Sequence, residues 1–201
     1  DYMALMTPVV KGFLTDRGFK VCSDAMQVHG GSGFTEHFPA SQYMRDCRIA
    51  LIYEGTNGVQ ALDLVGRKLA AEGGRGVMGF FAEIDAYVGA HENDPALAPI
   101  IEGLSHAKEE LQDATMWLMA NGLANPDHAG AASTDYMHLF GLTALAYMWA
   151  MMAKAAQDKI AAGDADPYYA TRLTLARYYV ERILPETGAH LAKLKTGADT
   201  L

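Results

Sequence analysis

Cysteine is almost missing from this sequence: Cys22 and Cys47 are the only two in 201 residues. Both fall in helix-like stretches, so neither a disulfide framework nor a thiolate metal site has a basis here, and a reducing cytoplasm is the matching compartment. Basic charge is short as well, with 16 Lys and Arg against 24 Asp and Glu and a formal net charge of -8. Nucleic acid, which is gripped by Lys and Arg gathered against phosphates, is therefore not an expected partner. No uninterrupted apolar run approaches the roughly 20 residues that span a bilayer, so no transmembrane helix is expected. The opening DYMALMTPVV lacks a basic region ahead of an apolar stretch and a small-residue cleavage site. It does not read as a signal peptide, and it begins inside an element, as a piece of a longer protein would. His91, His106, His128, His138 and His190 are scattered, and no spacing among them suits a metal.

Alternating β-branched runs bounded by turn residues are lacking too. Ala, Leu, Met, Glu and Lys dominate long stretches with apolar residues three and four apart, which predicts an all-α protein. A first helix is expected from Thr7 or Pro8 to about His29, with Thr7 as cap, Pro8 at the first helical position and Gly30 as stop. GGSGFTEHF reads as a loop, Pro39 opens a second helix to about Ile49, and ALIYEG is a short apolar connection. A third helix starts near Thr56 or Asn57 and runs to about Ala71; with Asn57 as cap, Gln60 can return a hydrogen bond and form a capping box. The GGRG at 73–76 breaks the pattern and divides the chain into residues 1–73 and 74–201. Helical segments at about 76–91, 96–124, 131–162 and 167–195 follow, separated by ENDP, ANPDHAG and AGDADP, which predicts an up-down bundle. Asp166 before Pro167 is a sound helix start, and Pro185 should kink or split the last segment. Met116, Trp117, Met148, Trp149, Met151 and Met152 fall at helical spacing and are assigned to the core.

The chemistry concentrates between Gln27 and Gly66. Gly30, Gly31 and Gly33 form GGSG after a helix, where missing side chains let backbone amides approach a phosphate or nucleotide. This is no dinucleotide fingerprint, because Glu36 stands where a third glycine belongs and no strand precedes it. Without further context, a glycine helix stop followed by a loop is the better account of it. Gln27 and His29 sit where they can reach a cofactor or cap exposed carbonyls, and Arg45 and Asp46 are placed for ion pairs. Glu54 is the unusual residue, a lone carboxylate between apolar ALIY and helix-opening GTN. It is expected at a cleft or in a pocket, where desolvation raises a carboxylate's pKa and strengthens it as a base. Charge placement near a helix N-terminus is the alternative.

Taken together, Gln27-Val-His-Gly-Gly-Ser-Gly33, Met44-Arg-Asp46 and Tyr53-Glu-Gly-Thr56 resemble the C-terminal signature of the acyl-CoA dehydrogenase family. The resemblance runs from the start of the chain to Arg67. It implies that Glu54 is the base that removes the α proton of an acyl-CoA thioester while the β hydride passes to N5 of FAD, giving a trans-2-enoyl-CoA. Such a proton is too weakly acidic for an ordinary glutamate unless donors polarise the carbonyl. In the family the backbone N–H of this Glu and a ribityl hydroxyl provide them. The resemblance also implies that Gln27, Gly30 and Gly31 touch the adenine dinucleotide end of an FAD held by a neighbouring subunit. Thr56 would touch FAD near the reacting end, and Tyr53 and Gly55 would line the substrate. Many members carry Gln two residues after the Thr; this chain has Gly58 there, which removes one FAD contact unless Gln60 supplies it. Domains preceding residue 1 would furnish most of the site, so the fragment alone is expected to be inactive. An electron-transfer flavoprotein is the implied acceptor, and a homodimer or homotetramer the implied assembly.

Residues beyond the signature are similar in position, length and helical character to the C-terminal domain of a larger bacterial branch that includes the methylmercaptopropionyl-CoA dehydrogenases. Their expected task is to cover the signature helices and build the subunit interface. A rival reading is a non-catalytic helical assembly module. A third, a nitroalkane oxidase-like relative, would favour Asp where this chain has Glu54.

Overall fold

A computed structural model describes residues 2–201. Among them there are nine α-helices and no strand, as the composition and periodicity predict. They are α1 (Tyr2–Val28), α2 (Gly31–Phe34), α3 (Ala40–Ile49), α4 (Asn57–Asp63), α5 (Arg75–His91), α6 (Ala98–Asn121), α7 (Pro126–Ala161), α8 (Pro167–Tyr178) and α9 (Glu186–Leu194). The central element is α7, which packs against α6, α8 and α9 on the bundle side and against α1 and α4 on the other. Leu5, Val9 and Phe13 of α1, Phe80 and Ile84 of α5, Leu104 and Leu111 of α6, and Met137 and Phe140 of α7 join one continuous core. Residues on both sides of the glycine-rich turn at 73–76 thus share their burial.

Several boundaries differ from the sequence-based expectation, each for a local reason. α1 begins at Tyr2, with Pro8 inside it, and the Thr7 hydroxyl donates to the Met3 carbonyl at 2.7 Å rather than capping. Pro8 forgoes one backbone hydrogen bond, but it is buried beside Leu5 and Val9, and that packing offsets the loss. GGSGF curls into the short α2 instead of an open loop. α7 starts at Pro126, within the stretch read as a turn, because Asn125 caps it by accepting from the Asp127 N–H at 3.0 Å and Pro126 occupies the first position. Asp166 caps α8 as expected, accepting from the Tyr168 N–H at 2.9 Å. Ahead of Pro185 the last segment widens into a π turn at Tyr179–Ile183 and restarts as α9, which relieves the clash of the proline ring with the preceding turn. A second π turn, Leu64–Lys68, extends α4.

The aromatic and Met assignments divide. Trp117, Trp149 and Met151 pack on the core, whereas Met116, Met148 and Met152 are exposed. Met116 lies off the stripe that α6 buries through Ile100, Leu104, Leu111 and Leu118. By length and composition α7 is long and apolar enough to cross a membrane, although its apolar residues are interrupted by polar ones. However, 56% of its most apolar window is buried within the protein, as in a core helix. The two cysteines, distant in sequence, meet between α1 and α3 with their Sγ atoms 3.3 Å apart, both as free thiols.

Candidate functional site

The turn between α3 and α4 carries Tyr53, Glu54, Gly55 and Thr56. Glu54 adopts φ 56° and Gly55 φ 84°. Glycine takes that region freely, but a glutamate there costs on the order of 1 kcal/mol or more, so the surroundings must hold it. They do so at both carbonyls. The Lys11 ammonium donates to the Gly55 carbonyl at 2.7 Å, and the Gln60 amide donates to the Glu54 carbonyl at 3.0 Å. From the other side the Asn57 N–H donates to the Leu51 carbonyl at 3.2 Å. Thr56 is the cap of α4, its hydroxyl accepting from the Val59 N–H at 3.4 Å.

Asn57 is therefore not the cap, and the expected capping box with Gln60 does not form. Instead Asn57 is buried and knots the turn to α1. Its Nδ2 donates to the Gly12 carbonyl at 3.0 Å, the Thr15 hydroxyl at 2.9 Å and Asp16 Oδ1 at 2.7 Å. Its Oδ1 accepts from Lys11 Nζ at 2.8 Å. Asp16 Oδ2 in turn lies 3.1 Å from His138 Nε2 of α7, and the His138 ring stacks on His190 of α9 at 5.4 Å, itself paired with Asp135 at 2.7 Å. Burial alone would raise the Asp16 carboxyl. The hydrogen bonds from His138 and Asn57 and the charges of His138 and Lys11 outweigh it and hold the group below the usual carboxylate range.

A depressed folded-state pKa means that Asp16 stabilises the fold above the ordinary carboxylate pKa of about 3.9, and that this contribution is lost as pH falls through the lowered value. Asp16→Asn is accordingly expected to cost on the order of 1 kcal/mol at pH 7. In thermal melts the gap to the parent protein should narrow steadily towards pH 3, and a gap independent of pH would contradict the assignment.

The described residues do not enclose Glu54 in a pocket. Glu54 is exposed, and its apolar neighbours Ile52 and Tyr53 are 48% and 50% exposed. Tyr53, Glu54, Gly55 and Thr56 are all exposed, so none of the described residues covers the turn. Gln27, Gly30 and Gly31 form a second group at the far end of α1. Gln27 and Lys11 are sixteen residues apart on that helix, or about 24 Å at 1.5 Å per residue, so one chain does not bring the two groups together. Gly30 has φ 61°, and a side chain at Gly31 would meet nothing within 4 Å, leaving backbone open to approach. Gly33 has a different role: a Cβ there would stand 2.6 Å from the Met26 carbonyl and from His29 Cβ, so only glycine lets α2 fold against α1.

An open glycine backbone beside the exposed Gln27 suits one edge of a dinucleotide, as one wall of a site rather than a whole one. Gln60 directs one amide N–H to the Glu54 carbonyl. Val21, Val28, Phe34, Tyr43, Ile49, Ile52, Tyr53 and Val59, large apolar residues of the segments that carry the two groups, are exposed. The roles of Lys11, Asn57, Asp16 and His138 escape sequence reasoning, because their partners lie 41 to 122 positions away. Among the described residues no cluster of His, Cys, Asp and Glu could hold a metal ion.

Comparison with known proteins bears on this arrangement over its whole length. Residues 4–69 match the family model for the acyl-CoA dehydrogenase C-terminal domain, and residues 80–201 match the model described as acetyl-CoA dehydrogenase C-terminal like. The 3-methylmercaptopropionyl-CoA dehydrogenase of Ruegeria pomeroyi is 33% identical over 197 residues, covering 98% of this chain and 34% of that protein. A butyryl-CoA dehydrogenase of Syntrophomonas wolfei is 27% identical over 92% of this chain and 31% of its own length. The broad-specificity linear acyl-CoA dehydrogenase FadE5 of Mycobacterium tuberculosis is 28% identical over 90% of this chain and 31% of its own length. The chain spans about a third of the length of these relatives. Two consecutive family matches, laid over a fold that is helical throughout, show that this chain belongs to the acyl-CoA dehydrogenase family and corresponds to its C-terminal part.

Proposed function

We propose that this chain is the base-bearing part of an FAD-dependent acyl-CoA dehydrogenase that converts an acyl-CoA thioester into a trans-2-enoyl-CoA. The observation that carries the proposal is the left-handed Glu54–Gly55 turn, held at both carbonyls by Lys11 and Gln60. Strain maintained by dedicated hydrogen bonds marks a position whose geometry matters beyond folding. In this reading the Glu54 carboxylate receives the α proton, and its backbone N–H and Gly55 leave room for the thioester carbonyl. Tyr53 forms a wall of the acyl site and excludes water from the carboxylate once the rest of the enzyme covers it. FAD, when bound, supplies the hydride acceptor. Thr56 holds it near the reacting end, and Gln27, Gly30 and Gly31 hold the dinucleotide of an FAD seated mainly on a neighbouring subunit.

The exposed apolar residues of the segments that carry the two groups support burial against further protein, in the same polypeptide and across a homodimer or homotetramer. We divide the chain functionally at residues 73 and 74, into the end of the catalytic helical domain and an extension that covers it. An electron-transfer flavoprotein is the proposed electron acceptor. The cytoplasm is the proposed compartment, consistent with the free thiols of Cys22 and Cys47.

The test compares two preparations. The full-length protein should copurify with flavin, and that flavin should bleach anaerobically on mixing with acyl-CoA thioesters. The 201 residues alone should show no flavin absorbance and no dye reduction. Full-length protein whose flavin no thioester bleaches would end the proposal, and stoichiometric flavin on the shorter chain would refute the two-part site.

A further inference from the structure

The hydrogen bonds that fix the Glu54 turn do not stop at α1. They continue from Lys11 and Asn57 through Asp16 to His138, which stands on α7, in the part of the chain beyond the glycine-rich turn. We propose that Lys11, Asn57, Asp16 and His138 are positioning residues that lock the Tyr53–Thr56 turn in its left-handed form, and that the C-terminal helices thereby set the geometry of the base.

Each link is built rather than incidental. Lys11 spends its ammonium on two acceptors, the Gly55 carbonyl and Asn57 Oδ1. Asn57, although an amide, is buried with both ends of its side chain satisfied. Such a group costs several hydrogen bonds to misplace, which makes it a rigid peg between α4 and α1. Asp16 joins that peg to α7 with one oxygen on Asn57 and the other on His138. His138 cannot drift, because its ring is packed edge-on against Phe13 at 5.6 Å and stacked on His190 at 5.4 Å. Were the chain of bonds cut at Lys11, the Gly55 carbonyl would lose its partner, and the φ of 56° at Glu54 would have less to oppose it. The turn would then spend part of its time in conformations that carry the carboxylate elsewhere. This inference rests on the proposed role of Glu54 for its catalytic consequence, but not for its structural content.

Two readouts keep those apart. The first uses the 201-residue chain and a glutamyl endopeptidase, which must draw the Glu54–Gly55 bond into an extended form to cut it. Cleavage is followed by mass spectrometry relative to cleavage after Glu36 and Glu72, both exposed and outside the network. Lys11→Met should raise the relative rate at Glu54 about tenfold, the effect of losing one charge-assisted hydrogen bond. Lys11→Arg should restore most of the protection. His138→Phe, which preserves the ring packing, should also raise it. A relative rate unchanged by Lys11→Met overturns the lock, and acceleration by Lys11→Met but not by His138→Phe overturns the part assigned to the C-terminal helices.

The second readout uses the full-length holoenzyme. Lys11→Met should lower kcat about tenfold with KM and flavin content unchanged, and should enlarge the isotope effect with α-deuterated substrate. If KM rises instead while kcat holds, Lys11 binds substrate and the positioning role is overturned. If Glu54→Gln retains full turnover, the base assignment fails, while the protease ratios still decide the lock.

Discussion

Glu54→Gln in the full-length protein is expected to keep its flavin and lose turnover by a factor of about 10²–10⁴, the range a positioned general base contributes. The substitution is nearly isosteric. Because the side chain is exposed in this chain and both backbone carbonyls of the turn are held by other residues, neither folding nor the turn should suffer. The loss should appear in kcat and in kcat/KM alike, with no slow exchange of the substrate's α proton into solvent. Glu54→Asp should retain more activity than Glu54→Gln, because the carboxylate survives but is withdrawn by one methylene. A helical assembly module would show neither effect. Full turnover by Glu54→Gln, measured on protein with unchanged flavin content, would remove the catalytic role of this residue altogether.

The largest expected effect on stability lies where α1 crosses α7. A Cβ added to Gly141 would stand 2.2 Å from Cγ of Phe13, a ring that is 1% exposed and has nowhere to go. Overpacking of this kind costs about 1–3 kcal/mol and more when backbone must shift, against up to about 1 kcal/mol gained by replacing glycine with alanine inside a helix. The clash wins, and Gly141→Ala should lose about 2 kcal/mol, or roughly 4–8 °C in Tm for a chain of this size. Gly130→Ala is the matched control on the same helix. Nothing lies within 4 Å of its added Cβ, so only the propensity term remains, and its Tm should hold or rise. Equal effects of the two substitutions in thermal melts would contradict the packing described here.

What could be read in advance follows from the range over which each signal acts. Periodicity and composition report on three or four neighbours at a time, so the all-α class, the run of helices after residue 74 and the break at Pro185 are legible. The start of α7 is equally legible in the pair Asn125-Pro126, a cap followed by a proline suited to the first turn, although the turn-rich residues of ANPDHAG around it mask the signal. Asn57 illustrates the opposite case. A local rule makes it a cap, yet its side chain is claimed by Gly12, Thr15 and Asp16 across more than 40 positions, which leaves the cap to Thr56. The signature stretch singles out Glu54 but says nothing of Lys11 or His138, whose partners come from other helices. Nor does a run of apolar neighbours decide burial, since Ile52, Tyr53 and Glu54 are all exposed among the described residues.

The interlock of Gly12 and Gly141 with large side chains from the opposing helix also bears on how the two helices can vary. A side chain at Gly12 would strike Met137, just as one at Gly141 would strike Phe13, so each helix is notched to receive the other. The two faces can therefore change only together, since a larger residue at Gly12 or Gly141 requires a smaller one at Met137 or Phe13.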